Sequence, residues 1–194
     1  RSTLFPYTTL FRSNLSESGR SGGYLSGYAM SVLPIITIPD PLLKQRSHEI
    51  REISGGVLAL AENMRQTICA LKRCVGIAAV QTGVLARMIV VDVSLSPKPH
   101  RNNGLLIMIN PVITYASGKA GSREGCLSVP DFTGYVTRKK KIEVEYTDLK
   151  GTRKQLKTEG FEAIVIQHEI DHLDGIVFLD RVTSLKTDVF RRET

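Results

Sequence analysis

An apolar helical run with titratable groups in its middle constrains this chain more than any other feature. Gly160–Leu173 has helical spacing through Phe161, Ile164, Val165, His168 and His172. Ile164, Val165, Ile166 and Ile170 imply that much of this helix is buried, and a solvated helix fits that pattern poorly. Buried His and Glu side chains need partners. The run contains Gln167-His168-Glu169-Ile170-Asp171-His172, which reads H-E-x-x-H. Side chains four apart sit one turn above each other, so both imidazoles can face one ion. Glu169 is turned about 100° from His168 around the axis, beside the ion, where it can accept a proton from an attacking water.

A catalytic ion needs a third protein ligand and one open position. The spacing H-E-x-x-H-x-x-G-x-x-H is not met: Gly175 matches, but Phe178 stands where the third His belongs. A thermolysin-type downstream glutamate would have to be Glu193, a poor candidate so near the end of the sequence. The better candidate lies upstream, in Glu124-Gly125-Cys126-Leu127-Ser128-Val129-Pro130. Cys126 alone reads equally well as an inert core thiol. Beside a two-His helix its odds as a ligand rise, and a Cys/His/His set binds Zn²⁺ or Fe²⁺ as the thiolate.

The remaining patterns place this helix in an α+β chain. Residues 54–72 put Val57, Leu60, Ala61, Met64, Ile68 and Leu71 on one helical face, with Ser54 as the capping residue and Gly55 and Gly56 weakening the first turn. Met64 and Cys69 read as core or flank packing. Arg87–Val93 and Leu105–Ile113 are β-rich, and the polar loop Ser94–Asn103 between them holds an exposed His100. His48 sits in a charged stretch without an obvious partner. Tyr135–Tyr146 alternates in its second half, Asp148–Gly151 is a turn, and Thr152–Glu159 is the returning strand. The basic run Arg138–Lys141 reads as a solvated strand end, and Ser184–Thr194 as a solvated tail. Strands followed by a late helix argue α+β.

With 194 residues, 42% hydrophobic and 23% charged, the sequence suits one soluble domain with a real core. No apolar run approaches the ~20 residues of a membrane span. Three cysteines are too few for a disulfide framework and fit a reducing, cytoplasmic compartment. The net charge of +7 is mildly basic, and without aromatic interleaving it does not point to specific nucleic-acid binding. Residues 1–29 are Ser-, Gly-, Thr- and Tyr-rich without periodicity. The string Thr3–Ser13 looks like the in-frame translation of a sequencing adapter, so 1–29 is expected to be a disordered, non-native extension, with Met30 opening the catalytic domain 30–194.

These residues together resemble the peptide deformylases. That family has three motifs in order, G-x-G-[LI]-[AS]-A-x-Q, E-G-C-[LV]-S-x-P and Q-H-E-x-D-H-L-x-G. Here they read Cys74-Val75-Gly76-Ile77-Ala78-Ala79-Val80-Gln81, Glu124–Pro130 and Gln167–Gly175. The second and third are complete, and the first departs at Cys74. The resemblance implies small antiparallel sheets packed around a central helix carrying H-E-x-x-H. It implies a bacterial cytoplasmic hydrolase that releases formate from N-formyl-methionyl nascent peptides. It also implies Fe²⁺ as native metal, with Zn²⁺, Ni²⁺ or Co²⁺ able to substitute, and Cys126, His168 and His172 as the ligands. Glu169 would be the general base and acid, with the Gln81 side chain and the Leu127 backbone N–H stabilising the oxyanion. Val75, Gly76, Phe161, Ile164 and Val165 are candidates for the substrate pocket, with Gly76 allowing close approach of the substrate backbone. Glu124, at the edge of that substrate site, is expected to pair with Arg138. Asp171 reads as a group orienting the site or as an ordinary helix-face carboxylate. The chain is expected to be a monomer, and a transient ribosome contact through its basic C-terminal stretch is the alternative to a solvated tail.

Cys74 stands where the family usually has glycine. If that position required φ > 0, cysteine would strain it. Two rival readings follow from the same residues. A zinc peptidase built on H-E-x-x-H would leave Gln81 and Glu124–Pro130 without roles. A catalytically impaired deformylase-like protein would bind metal or peptide without releasing formate.

Overall fold

The computed structural model describes residues 32–192. The expected extension, residues 1–29, lies outside the described residues, as do Met30 and Ser31. Two helices, Gly55–Ala70 (α1) and Phe161–Leu173 (α2), pack against antiparallel sheet. One sheet joins Gly76–Ala78 (β1), Met88–Val91 (β2), Leu106–Ser117 (β3), Lys141–Thr147 (β6) and Arg153–Glu159 (β7) in the order β1-β2-β3-β6-β7. The other joins Ala120–Cys126 (β4), Val129–Arg138 (β5) and Val189–Arg191 (β8) in the order β4-β5-β8. Every pairing between these strands is antiparallel. The expected α+β architecture around a helix bearing H-E-x-x-H is the observed one. Among the described residues no helix is long and apolar enough to cross a membrane.

The short strand β2 shows why the two helices lie where they do. All four of its residues are buried. Successive side chains point to opposite faces of a strand, so Met88 and Val90 meet Ala61, Met64 and Ile68 of α1. Ile89 and Val91 meet Ala163, Val165, Ile166, Ile170 and Leu173 of α2 on the other face. A sheet covered on both sides reads as a continuous apolar run. Burying each such side chain is worth about 1.5–3 kcal/mol relative to exposure, and α2 is thereby fixed against the sheet that also supplies β1.

Several boundaries differ from the sequence reading. Helix α1 keeps Ser54 as N-cap, with its side chain accepting from Val57 N at 3.4 Å, and ends at Ala70, two residues earlier than expected, with Leu71 as C-cap. Cys69 is exposed rather than packed. The run Tyr135–Tyr146 is two strands, broken at Lys139 and Lys140 where β5 turns into β6. Arg138 does not belong to a solvated strand end: it is 5% exposed. On β5 the inward positions are Gly134, Val136 and Arg138, and the outward ones Tyr135 and Thr137, so strand periodicity carries the guanidinium inside. The C-terminal stretch is not simply a solvated tail either, because Val189–Arg191 pairs with Phe132, Thr133 and Gly134 of β5. His100 is half-buried, its ring stacked on Phe161 with centroids 4.2 Å apart. The His48 side chain is exposed, while its backbone bonds Leu85 and Arg87.

Candidate metal centre

Two elements bring three side chains to one point. Helix α2 presents His168 and His172, and the end of β4 presents Cys126 from the neighbouring sheet. One ligand atom from each of the three lies within 4.8 Å of the others, and all three residues are buried. Cys126 Sγ is 3.1 Å from His172 Nε2. The imidazoles stand nearly perpendicular, with ring centroids 5.0 Å apart. Coordinating nitrogens and a sulfur at these separations can surround a single ion, and a thiolate with two neutral imidazoles is a set that Zn²⁺ or Fe²⁺ accepts. His172 Nε2 is the ring nitrogen that faces Cys126, while His172 Nδ1 and Glu169 Oε2 find no hydrogen-bond partner among the described residues.

Around the three donors is a layer that orients them. His168 Nδ1 lies 2.8 Å from Glu124 Oε2, which leaves Nε2 as the coordinating atom. Glu124 is in turn held by Arg138, Nε to Oε1 at 2.7 Å and Nη2 to Oε2 at 2.8 Å. Arg138 Nη1 also bonds Asp171, and Asp171 accepts from Arg181 as well. Burial alone would raise the Glu124 carboxyl, but the bonds from Arg138 and His168 hold it down to about 2. Asp171 therefore belongs to the buried network behind the site and is not a free helix-face carboxylate.

Glu169 sits differently. It is 4% exposed, and loss of solvent, aided by the nearby Glu124 and Asp171 charges, pushes its carboxyl up to about 7. A group poised there can both take and return a proton near neutral pH. A β-carbon added at Gly76 would lie 2.7 Å from Glu169 Oε1 and 2.9 Å from Val165 Cγ1. The glycine thus makes room for the glutamate, a role the sequence did not disclose.

A cavity of about 370 Å³ opens onto the centre, lined by Val75, Gly76, Gln81, Cys126, Leu127, His168 and Glu169 among others. Gln81 Nε2 donates to Cys126 Sγ at 3.4 Å and to Ser128 Oγ at 3.1 Å, while its Oε1 accepts from Ala78 N at 2.9 Å. Of the residues expected at the substrate site, Val75 and Gly76 line this cavity, and Glu124, Phe161, Ile164 and Val165 are not part of its wall. Glu124 is committed to Arg138 and His168, Phe161 to His100, and Ile164 and Val165 are buried in α2. Cys74 also lines the cavity. It is not strained by a left-handed backbone, because Arg73 and Asn110 are the non-glycine residues with positive φ among the described residues. Its thiol is 5% exposed and donates to Gly76 O at 3.3 Å. Sequence reading missed Ser128, which is fully buried and anchors Gln81, and it missed Arg192, which reaches the cavity from beyond β8. The only signal for either was proximity to Cys126, visible for Ser128 and invisible for Arg192.

The sequence pattern described as Polypeptide deformylase matches residues 32–188. A peptide deformylase of Thermodesulfovibrio yellowstonii is 42% identical over 164 residues, covering 84% of this chain and 97% of its own. One of Pelotomaculum thermopropionicum is 43% identical over 157 residues, covering 81% and 96%. Among solved structures, a peptide deformylase from Ehrlichia chaffeensis superposes with a TM-score of 0.73 at 37% identity, over 80% of this chain and 90% of that one. A class I type b peptide deformylase from Acinetobacter baumannii, solved with Met-Ala-Ser bound, gives 0.73 at 33% identity, over 79% and 100%.

Proposed function

The chain belongs to the polypeptide deformylase family and is a metal-dependent hydrolase of that kind, and from this premise we propose which residues carry the reaction and which ion serves it. The ion is Fe²⁺, held by Cys126, His168 and His172, with Zn²⁺, Ni²⁺ or Co²⁺ able to replace it. The convergence of those three side chains within 4.8 Å is the observation that carries the reading. When bound, the cation supplies Lewis acidity, acidifying water and polarising the formyl oxygen.

The protein groups do the rest. Glu169, buried and shifted towards neutral pH, takes the proton of the attacking water. It later delivers that proton to the leaving nitrogen, so that formate and a free N-terminal amine depart. Gln81 holds its amide against Cys126 and Ser128; the hydrogen on the longer bond, to sulfur, is the one we assign to the developing oxyanion, together with the Leu127 N–H. Glu124 fixes the His168 ring, and Arg138 fixes Glu124. The substrate is the formyl-methionyl end of a nascent peptide. The tripeptide in the Acinetobacter relative also begins with methionine, which supports a cleft that admits an extended N-terminus. We place the reaction in the cytoplasm of a bacterium, where the chain acts as a monomer.

The test is formate release from a formyl-methionyl tripeptide by protein purified without oxygen, alongside its metal content and its action on casein. Fe²⁺-loaded protein should release formate and leave casein intact. Glu169→Gln should keep the metal and lose about 100- to 10,000-fold in turnover. Casein cleavage without formate release would replace this reading with the peptidase one.

A further inference from the structure

The wall of the catalytic cavity is built from two kinds of residue. The buried part of its lining includes Cys126, His168 and Glu169, and the exposed part includes Lys72, Arg73 and Arg192. Glu169 is the one carboxylate in the lining. Lys72, Arg73 and Arg192 are exposed, and none of them has an ion pair among the described residues, whereas Arg138 and Arg181 are held by carboxylates. Three exposed cations in one lining, without a carboxylate partner among the described residues, attract anions, with a reach of about 10 Å at 0.1 M salt.

Arg192 is not an arbitrary surface arginine. Its backbone N donates to Asp131 O at 2.8 Å, directly after β8 pairs with β5, so the residue is tied to the strand that follows the Cys126 turn. Its guanidinium lies across Gly125: a β-carbon at that position would be 2.5 Å from Nη2 and 3.6 Å from Cζ. Gly125 immediately precedes the metal-site cysteine. The absence of a side chain there lets a cation approach within one residue of the reaction centre.

An extended peptide rises about 3.3 Å per residue. With its N-terminal methionine beside the metal-site residues, the next two residues run out towards the exposed part of the lining, which includes Arg192. We propose that Arg192, assisted by Lys72 and Arg73 of the same lining, is a specificity-determining residue that favours substrates carrying a carboxylate on the third residue. The inference rests on the deformylase reading for the direction in which the peptide enters. The carboxylate can come from an acidic side chain or from the C-terminus of a short peptide.

The experiment uses the full chain and two matched pairs. Formyl-Met-Ala-Asp-amide is compared with formyl-Met-Ala-Asn-amide, and formyl-Met-Ala-Ser with its amide. Each pair is measured as a ratio of kcat/KM, and the corresponding deformylated peptides as a ratio of Kd. An exposed ion pair is worth about 0.2–1 kcal/mol, so the carboxylate member should be favoured up to about fivefold at low salt, in KM and Kd more than in kcat. The preference should shrink at 0.5 M NaCl, fall to near unity in Arg192→Gln, and invert in favour of the uncharged member of each pair in Arg192→Glu. The pair that discriminates identifies the source of the carboxylate. Ratios near unity in both pairs for the wild type, or ratios untouched in both variants, overturn the proposal. A Kd preference lost in Arg192→Gln, in protein that releases no formate from any of the four, would leave the proposal standing and remove the deformylase reading instead.

Discussion

Arg138 grips Glu124 with two parallel hydrogen bonds, 2.7 Å from Nε to Oε1 and 2.8 Å from Nη2 to Oε2, where both side chains are under one-tenth exposed. Asp171 binds the remaining arm of the guanidinium. Removing one member of a buried charged set strands the others without solvent, at a cost of about 3–5 kcal/mol. Arg138→Met should therefore lower the unfolding free energy by that amount, measured by urea denaturation at fixed metal loading. Arg138→Lys keeps the charge but cannot form the paired contact, and should fall between wild type and Arg138→Met. A wild-type transition midpoint in Arg138→Met would show that the network contributes nothing to stability.

Glu124 transmits this arrangement to the metal through His168 Nδ1 at 2.8 Å. An isosteric amide can still meet one arm of Arg138, but it no longer presents a carboxylate to the imidazole. Loss of such a partner typically weakens metal binding about 10- to 100-fold. Glu124→Gln should show that loss in competition with a calibrated chelator, with residual turnover recovered by excess metal. Affinity equal to wild type would mean that the ring is oriented by its helix alone.

Gly76 faces Glu169 so closely that a methyl group would need to sit 2.7 Å from Oε1. Val165 Cγ1, 2.9 Å from the same point, closes the other side. The carboxylate must therefore move in Gly76→Ala, and a displacement of about 1 Å can cost on the order of 100-fold in rate. The variant should retain its metal and lose kcat. Metal analysis and steady-state kinetics on the same sample separate this outcome from a loss of the ion.

The legible parts of this molecule were those with a period or a fixed spacing. Residues His168 and His172 declare a shared face because a helix returns every 3.6 residues, and α1 declares its buried stripe from Val57 to Ile68 in the same way. Cys126 had no periodicity to announce it; the need for a third ligand beside the two-His helix made it a candidate that an inert core thiol could equally explain, and resemblance to a family favoured the ligand. The sheets were harder. Strand β4, Ala120–Cys126, is rich in Gly, Ser and charge and lacks an apolar alternation; its pairing with β5 makes it a strand, which a local reading cannot detect. Arg138 was visible as part of a basic run and invisible as an inward residue, because charge suggested solvent while the alternation of Val136 and Arg138 pointed inside. Long-range contacts, Arg192 across Gly125 above all, leave no local trace in the sequence.

Two cysteines outside the metal set differ enough in environment to report on it. Cys69 is exposed on α1, whereas Cys74 is 5% exposed at the edge of the catalytic cavity. Burial, with the nearby Glu169 charge, pushes the Cys74 thiol up to about 12 from an ordinary value of 9.0. Only the thiolate attacks an alkylating reagent, so at a given pH below 9 the reactive fraction of Cys74 is lowered by that shift. Brief treatment of the folded protein with iodoacetamide at pH 8, followed by peptide mapping, should modify Cys69 and leave Cys74 intact. Raising the pH should increase labelling of Cys74 without a plateau up to the limit of the fold, and urea should make the two equal. Rapid modification of Cys74 at pH 8 in the native state would mean that its thiol is neither buried nor held by Gly76 O, and that a cysteine at this point of the first motif leaves a reactive nucleophile in the substrate cleft.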